Sequence, residues 1–68
     1  MTGEFGFADA VRDAEGSILA VVPMGDETVA VDHRAADGRR LGIAFLPVGA
    51  ARELAGLLTA AAGRAEAA

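Results

Sequence analysis

Residues 28–46, TVAVDHRAADGRRLGIAFL, read as a β-hairpin, and that reading decides the fold. Thr28 to Arg34 alternates: Val29, Val31 and His33 point to one face, and Thr28, Ala30, Asp32 and Arg34 to the other. Asp37-Gly38 supplies the turn, an acid beside a residue that tolerates positive φ. Arg40 to Leu46 is oilier. Leu41, Ile43 and Phe45 form one of its faces, Gly42, Ala44 and Leu46 the other, and neither is polar. A strand apolar on both sides is normally covered on both sides.

Downstream, Pro47 to about Ala62 predicts a helix. Proline is favoured in a first turn, where its missing N–H costs nothing. Ala51, Leu54, Ala55, Leu58, Ala61 and Ala62 recur at helical spacing with Leu57 at the edge of the stripe, and Gly63 is a natural stop. Upstream, Ile18 to Val22 is a short apolar run bounded by Gly16 and Pro23, the signature of a strand, and Pro23 to Asp26 predicts a turn. Residues 7–12 fit either one face of a short helix, through Phe7, Val11 and Ala14, or a strand. An internal echo favours the strand: Arg12-Asp13-Ala14-Glu15-Gly16 repeats the pattern of Arg34-Ala35-Ala36-Asp37-Gly38. Two hairpins in series would follow.

The elements add up to an α+β domain, an antiparallel β-meander of three or four strands with one C-terminal helix packed on one face. Residues 1–68 make one small domain, with 1–6 and 64–68 expected to fray. A chain this short buries about 60% of the surface its unfolded form exposes, so it needs a further source of stability. Without cysteine there is no disulfide or thiolate metal site, and one histidine does not make a zinc site. Self-association remains, and a homodimer is expected. One helix covers one sheet face; the face of Gly42, Ala44 and Leu46 is expected to stay open for a partner.

Composition narrows the function classes. The hydrophobic share is 53% but aromatics are 4%, so the core is built of small aliphatic units that offer few polar anchors for a ligand. All six basic residues are arginine, and Lys, Asn and Gln are absent, a mark of GC-rich coding such as that of actinobacteria. A net charge of −4 opposes direct nucleic-acid binding. The longest uncharged apolar run, Leu41 to Ala51, falls short of the ~18 residues of a membrane span, and no secretory leader pattern is visible. No membrane association and a cytoplasmic location are expected.

Asp32-His33-Arg34, with Arg39 and Arg40 across the turn, is the one titratable cluster. As strand neighbours, Asp32 and His33 point to opposite faces, so the carboxylate cannot orient the ring, and no nucleophile has an evident place nearby. Solvated charges, with Arg34 and Arg39 or Arg40 pairing to Asp32 and Asp37, are the simpler reading. No catalytic residue, metal ligand or cofactor site is therefore expected. Gly42, Gly49, Gly56 and Gly63 recur every seven residues, and a mid-helix glycine costs about 1 kcal/mol relative to alanine. A close contact on the helix face of Arg52, Gly56 and Thr59 would offset that cost.

Val29-Ala30-Val31, the turn at Asp37-Gly38, Phe45-x-Pro47 and the helix with Leu54, Leu57 and Leu58 resemble a family of small actinobacterial proteins of unknown function, encoded beside Xre-type helix-turn-helix regulators. The similarity runs from Val29 to Leu58, and the family's usual tryptophans are absent. The resemblance implies a non-enzymatic partner that binds or modulates a regulator. The expected function is thus a protein-interaction module, a small acidic homodimer suited to a partner with a basic surface. Its interaction residues would be Gly42, Ala44, Leu46, Arg52, Gly56 and Thr59. A small-molecule carrier with an apolar cleft between sheet and helix is the alternative.

Overall fold

A computed structural model describes residues 9–67. Four strands, β1 (Ala10–Arg12), β2 (Ile18–Met24), β3 (Thr28–Arg34) and β4 (Arg40–Pro47), precede one helix, α1 (Val48–Ala67). The strands form one antiparallel sheet in the order β1-β2-β3-β4, the meander expected of an α+β domain. The fourth strand is real, which settles residues 10–12 as strand; residues 1–8, Phe7 among them, and residue 68 lie outside the described residues.

The sequence echo is an echo of structure. In both hairpins the glycine has positive φ, 86° at Gly16 and 95° at Gly38. Gly16 N–H donates to Asp13 C=O (3.0 Å) and Gly38 N–H to Ala35 C=O (2.8 Å), each closing a tight turn. One residue later the strands resume, with Asp13 N–H donating to Ser17 C=O (2.9 Å) and Ala35 N–H to Arg39 C=O (2.8 Å). This is a three-residue hairpin loop whose left-handed position needs glycine. Arg12 and Arg34 repeat as well: each guanidinium reaches forward to its turn glycine's carbonyl at 2.8 Å. The leading arginine of the repeat therefore closes the loop.

The β2–β3 turn lies later than Pro23–Asp26. Pro23 is inside β2, paired with Val29, and the turn is residues 25–27. Val21 donates its N–H toward β1, to Asp9 C=O. By alternation the donor missing at Pro23 would point to the same side of β2 and not into the ladder with β3, so the proline costs no β2–β3 hydrogen bond. The positive φ falls on Asp26 (61°) and Glu27 (54°), not on Gly25. A non-glycine residue there costs roughly 1–2 kcal/mol. Glu27→Gly is expected to stabilise the domain by about 0.5 kcal/mol after the entropy glycine adds to the unfolded chain. The midpoint should rise by about 3 °C in a thermal melt, and a fall would show that Glu27 makes a compensating contact.

Alternate residues define the faces. Ile18, Ala20, Val22, Ala30, Asp32, Ile43 and Phe45 share one; Leu19, Val21, Val29, Val31, His33, Gly42, Ala44 and Leu46 share the other. The helix lies on the second face. Ala51, Leu54, Ala55 and Leu58 oppose Val21, Val29, Val31 and Leu46 across a cleft. This reverses the expected assignment, since the Gly42-Ala44-Leu46 side of β4 is the helix side. The cause is β3 and β2: their valines, facing the same way as Leu46, offer a continuous β-branched surface. Gly63 does not stop α1, which runs on to Ala67. The residues beyond Gly63 are good helix formers, and Arg64 in the last turn suits the helix dipole.

Candidate functional site

Asp32 is the buried polar residue of the described sheet, 3% exposed, and so is not the solvated charge its sequence context implies. Arg34 Nε donates to its Oδ2 (3.1 Å), and Arg40 Nε and Nη2 donate to Oδ1 (3.1 Å) and Oδ2 (3.3 Å). Arg40 reaches this position through a bulge. The register passes from His33↔Gly42 to Arg34↔Arg40, skipping Leu41, and that one-residue slip moves Arg40 onto the face of Asp32. The hydrogen bonds from Arg40, and then those from Arg34 with the charge of both, outweigh burial and hold the Asp32 carboxyl below the usual aspartate range. Arg39 takes no part; its backbone N–H donates to Asp37 Oδ1 (3.0 Å).

His33 is on the opposite face, as the alternation requires. Its Nε2 is 3.7 Å from Asp13 Oδ2, too long for a hydrogen bond, and has no hydrogen-bond partner among the described residues. Burial tends to raise the Asp13 carboxyl, but the backbone N–H groups of Glu15 and Ser17, both 2.9 Å away, and His33 lower it overall. Among the described residues no group of three or more His, Cys, Asp or Glu could hold a metal ion, and no helix is long and apolar enough to cross a membrane.

What the structure leaves open is apolar. The cleft under α1 holds about 160 Å³ and is lined by aliphatic side chains alone. The helix has 20 residues and none is buried. Leu57 is 62% exposed, and Leu58 is 61% exposed although it lines the cleft. On the far face of the sheet Phe45 is 59% exposed, with Ile43 and Met24 also open.

Among the described residues no strand pairs with the outer edge of β4, and this free edge adds to the surface. Val48 N–H donates to Glu27 C=O (3.0 Å), continuing the ladder. The even-numbered residues Leu46, Ala44 and Gly42 therefore bond to β3, and Ile43 and Phe45 turn their N–H and C=O outward. Because α1 runs back from the end of β4 over Val29, Val31 and Val21, its right-handed turn puts Leu57 and Ala61 on the flank that looks toward that edge, with Leu54 between this flank and the cleft. Arg52, Gly56 and Thr59 fall on the flank toward β2.

The six residues singled out in the sequence thus do not form one surface. Leu46 is in the cleft, Gly42 and Ala44 are exposed on the same face of β4, and Arg52, Gly56 and Thr59 are exposed on the helix flank opposite Leu57. A Cβ at Gly42, Gly49, Gly56 or Gly63 would meet nothing within 4 Å, so nothing among the described residues demands glycine there. The sequence reading missed the Leu57 flank and the burial of Asp32. Placing Leu57 at the edge of the helical stripe was the available signal for the first; the spacing of Asp32, Arg34 and Arg40 was the signal for the second.

Fold and surface together define a hairpin-plus-helix α+β domain with an apolar cleft, an uncovered helix flank and an open strand edge. No protein-family model, curated protein or solved structure matches the chain.

Proposed function

We propose that the chain is a non-enzymatic protein-interaction module, a small acidic cytoplasmic homodimer that binds or modulates another protein, such as a transcription regulator of the helix-turn-helix type. The carrying observation is a 20-residue helix with no buried residue. In proteins most helical stability comes from packing of an apolar face rather than from propensity, and within the single chain that packing of α1 is incomplete. Leu54, Leu57 and Leu58, 39%, 62% and 61% exposed, form an apolar patch on that helix, and contiguous exposed apolar surface often marks an interaction site. The net charge of −4 favours a basic partner surface over nucleic acid. Light scattering across a dilution series is expected to give twice the chain mass at micromolar concentration and above. A monodisperse monomer throughout would overturn the reading.

The cleft favours a second reading, a carrier of small apolar molecules. Its volume of about 160 Å³ is small beside the ~300 Å³ at the lower end of ligand pockets, and no polar group is placed to orient a guest. Saturable one-to-one binding of an apolar fluorophore by the chain would favour this reading.

A further inference from the structure

Resting on the reading of the chain as a homodimer, we propose that two copies join through the free edges of β4, antiparallel across a two-fold axis at Ala44. The product is one eight-stranded sheet with both helices on the same face. The occupant of the open edge is a second copy of this chain, and four observations fit it.

The first is the backbone. Ile43 and Phe45 turn both polar groups outward, whereas Leu41 is displaced by the bulge and Pro47 has no N–H. The register that uses both complete residues pairs Ile43 of each copy with Phe45 of the other, which puts Ala44 opposite Ala44 on the axis. Between the bulge at one end and Pro47 at the other, the edge carries no charge that would oppose pairing.

The second is the helix. A two-fold perpendicular to the sheet leaves both helices on one face and makes them antiparallel. The flank each then presents to the other is the one that looks toward the β4 edge, with Leu57 and Ala61 beside Leu54.

The third is charge. Glu53 and Arg64 lie on that same flank, one on each side of Leu57. In an antiparallel pair centred between residues 58 and 59, Glu53 of each helix falls opposite Arg64 of the other. That centre is about 16 Å along α1 from its start, and Ala44 is about 13 Å back along β4 from the same point. One axis therefore serves both the strands and the helices.

The fourth is area. An eight-residue strand and a 20-residue helix give two strips about 27 and 30 Å long, lying side by side. Together they supply on the order of the 800 Å² per partner of a standard interface. Stacking the opposite faces of two sheets would instead bury Arg34 and Arg40 against their counterparts, like charge on like charge.

The chain has no cysteine, so single cysteines report directly. With Ala44→Cys, mild oxidation is expected to move most of the chain to a covalent dimer on a non-reducing gel. Leu57→Cys, at an exposed position that folding does not need, should do the same. Val22→Cys, on β2 and the opposite face, should remain monomeric on the gel. Cross-linking at Val22 without cross-linking at Ala44 and Leu57 would overturn the proposal in favour of stacked sheets. A wild-type dimer by light scattering with no cross-link at Ala44 or Leu57 would overturn the geometry while leaving the homodimer standing. A wild-type monomer would remove both.

Discussion

Leu57→Glu is expected to convert the dimer to a monomer at micromolar concentration, weakening association at least 100-fold. In the single chain the Leu57 side chain is 62% exposed, so the substitution removes little packing, and glutamate is nearly as good a helix former as leucine. Its intrinsic effect on folding should fall within about 0.5 kcal/mol, as for other surface changes. Across the proposed two-fold the consequence differs. Each copy would place a carboxylate in an apolar seam made by Leu54 and Ala61, and two such charges would be desolvated together. Leaving a charge unpaired in a dry interface costs several kcal/mol, ample for the stated loss.

The control lies on the other flank. Gly56→Leu adds a side chain where a Cβ meets nothing within 4 Å and removes a mid-helix glycine. It is expected to raise stability by about 1 kcal/mol and leave the mass unchanged. Light scattering and a thermal melt at matched concentration separate the two variants, since coupling of folding to association makes the wild-type midpoint concentration-dependent. If Gly56→Leu breaks the dimer while Leu57→Glu does not, the contact is on the Arg52-Gly56-Thr59 flank.

The contrast between these flanks shows what periodicity can carry. Strand alternation and turn chemistry are local, and they placed β2, β3, β4 and both glycine turns close to where they are. The repeated Arg-x-Ala-acid-Gly was legible because its hydrogen bonds close within one loop. The choice of helix face was not local. It depended on valines of β2 and β3 lining up beside Leu46, which follows from register across three strands. The bulge at Leu41 was equally hidden, because a one-residue slip leaves no mark in an alternating apolar run. Asp32 shows both limits at once. Its place opposite His33 followed from alternation, but its burial needed the slip that brings Arg40 across.

That carboxylate supplies the other large effect. Asp32→Asn is expected to lower the thermal midpoint more than any other single polar substitution among residues 9–67. The amide keeps the shape, but Arg34 and Arg40 then face each other without the charge that both Nε donors engage. The pH dependence has a definite sign. The folded carboxyl titrates below its unfolded value of about 3.9, so the ionised form is favoured by folding and its contribution is complete above that value. It is lost as pH falls through the folded value. In wild type, stability should drop steeply below about pH 4. In Asp32→Asn the drop should be shallower, though still present because Asp13 is also held low by the backbone of its turn. Urea melts between pH 7 and pH 2 at fixed chain concentration measure both curves. Parallel curves for the two proteins would mean that the clamp contributes no charge-dependent stability. Replacing all three members by apolar residues, Asp32→Leu with Arg34→Met and Arg40→Met, should recover much of the loss at neutral pH, because the buried charge is removed together with its partners. That recovery would assign Asp32 to the specificity of the sheet register, where the bulge at Leu41 depends on Arg40 finding its acceptor.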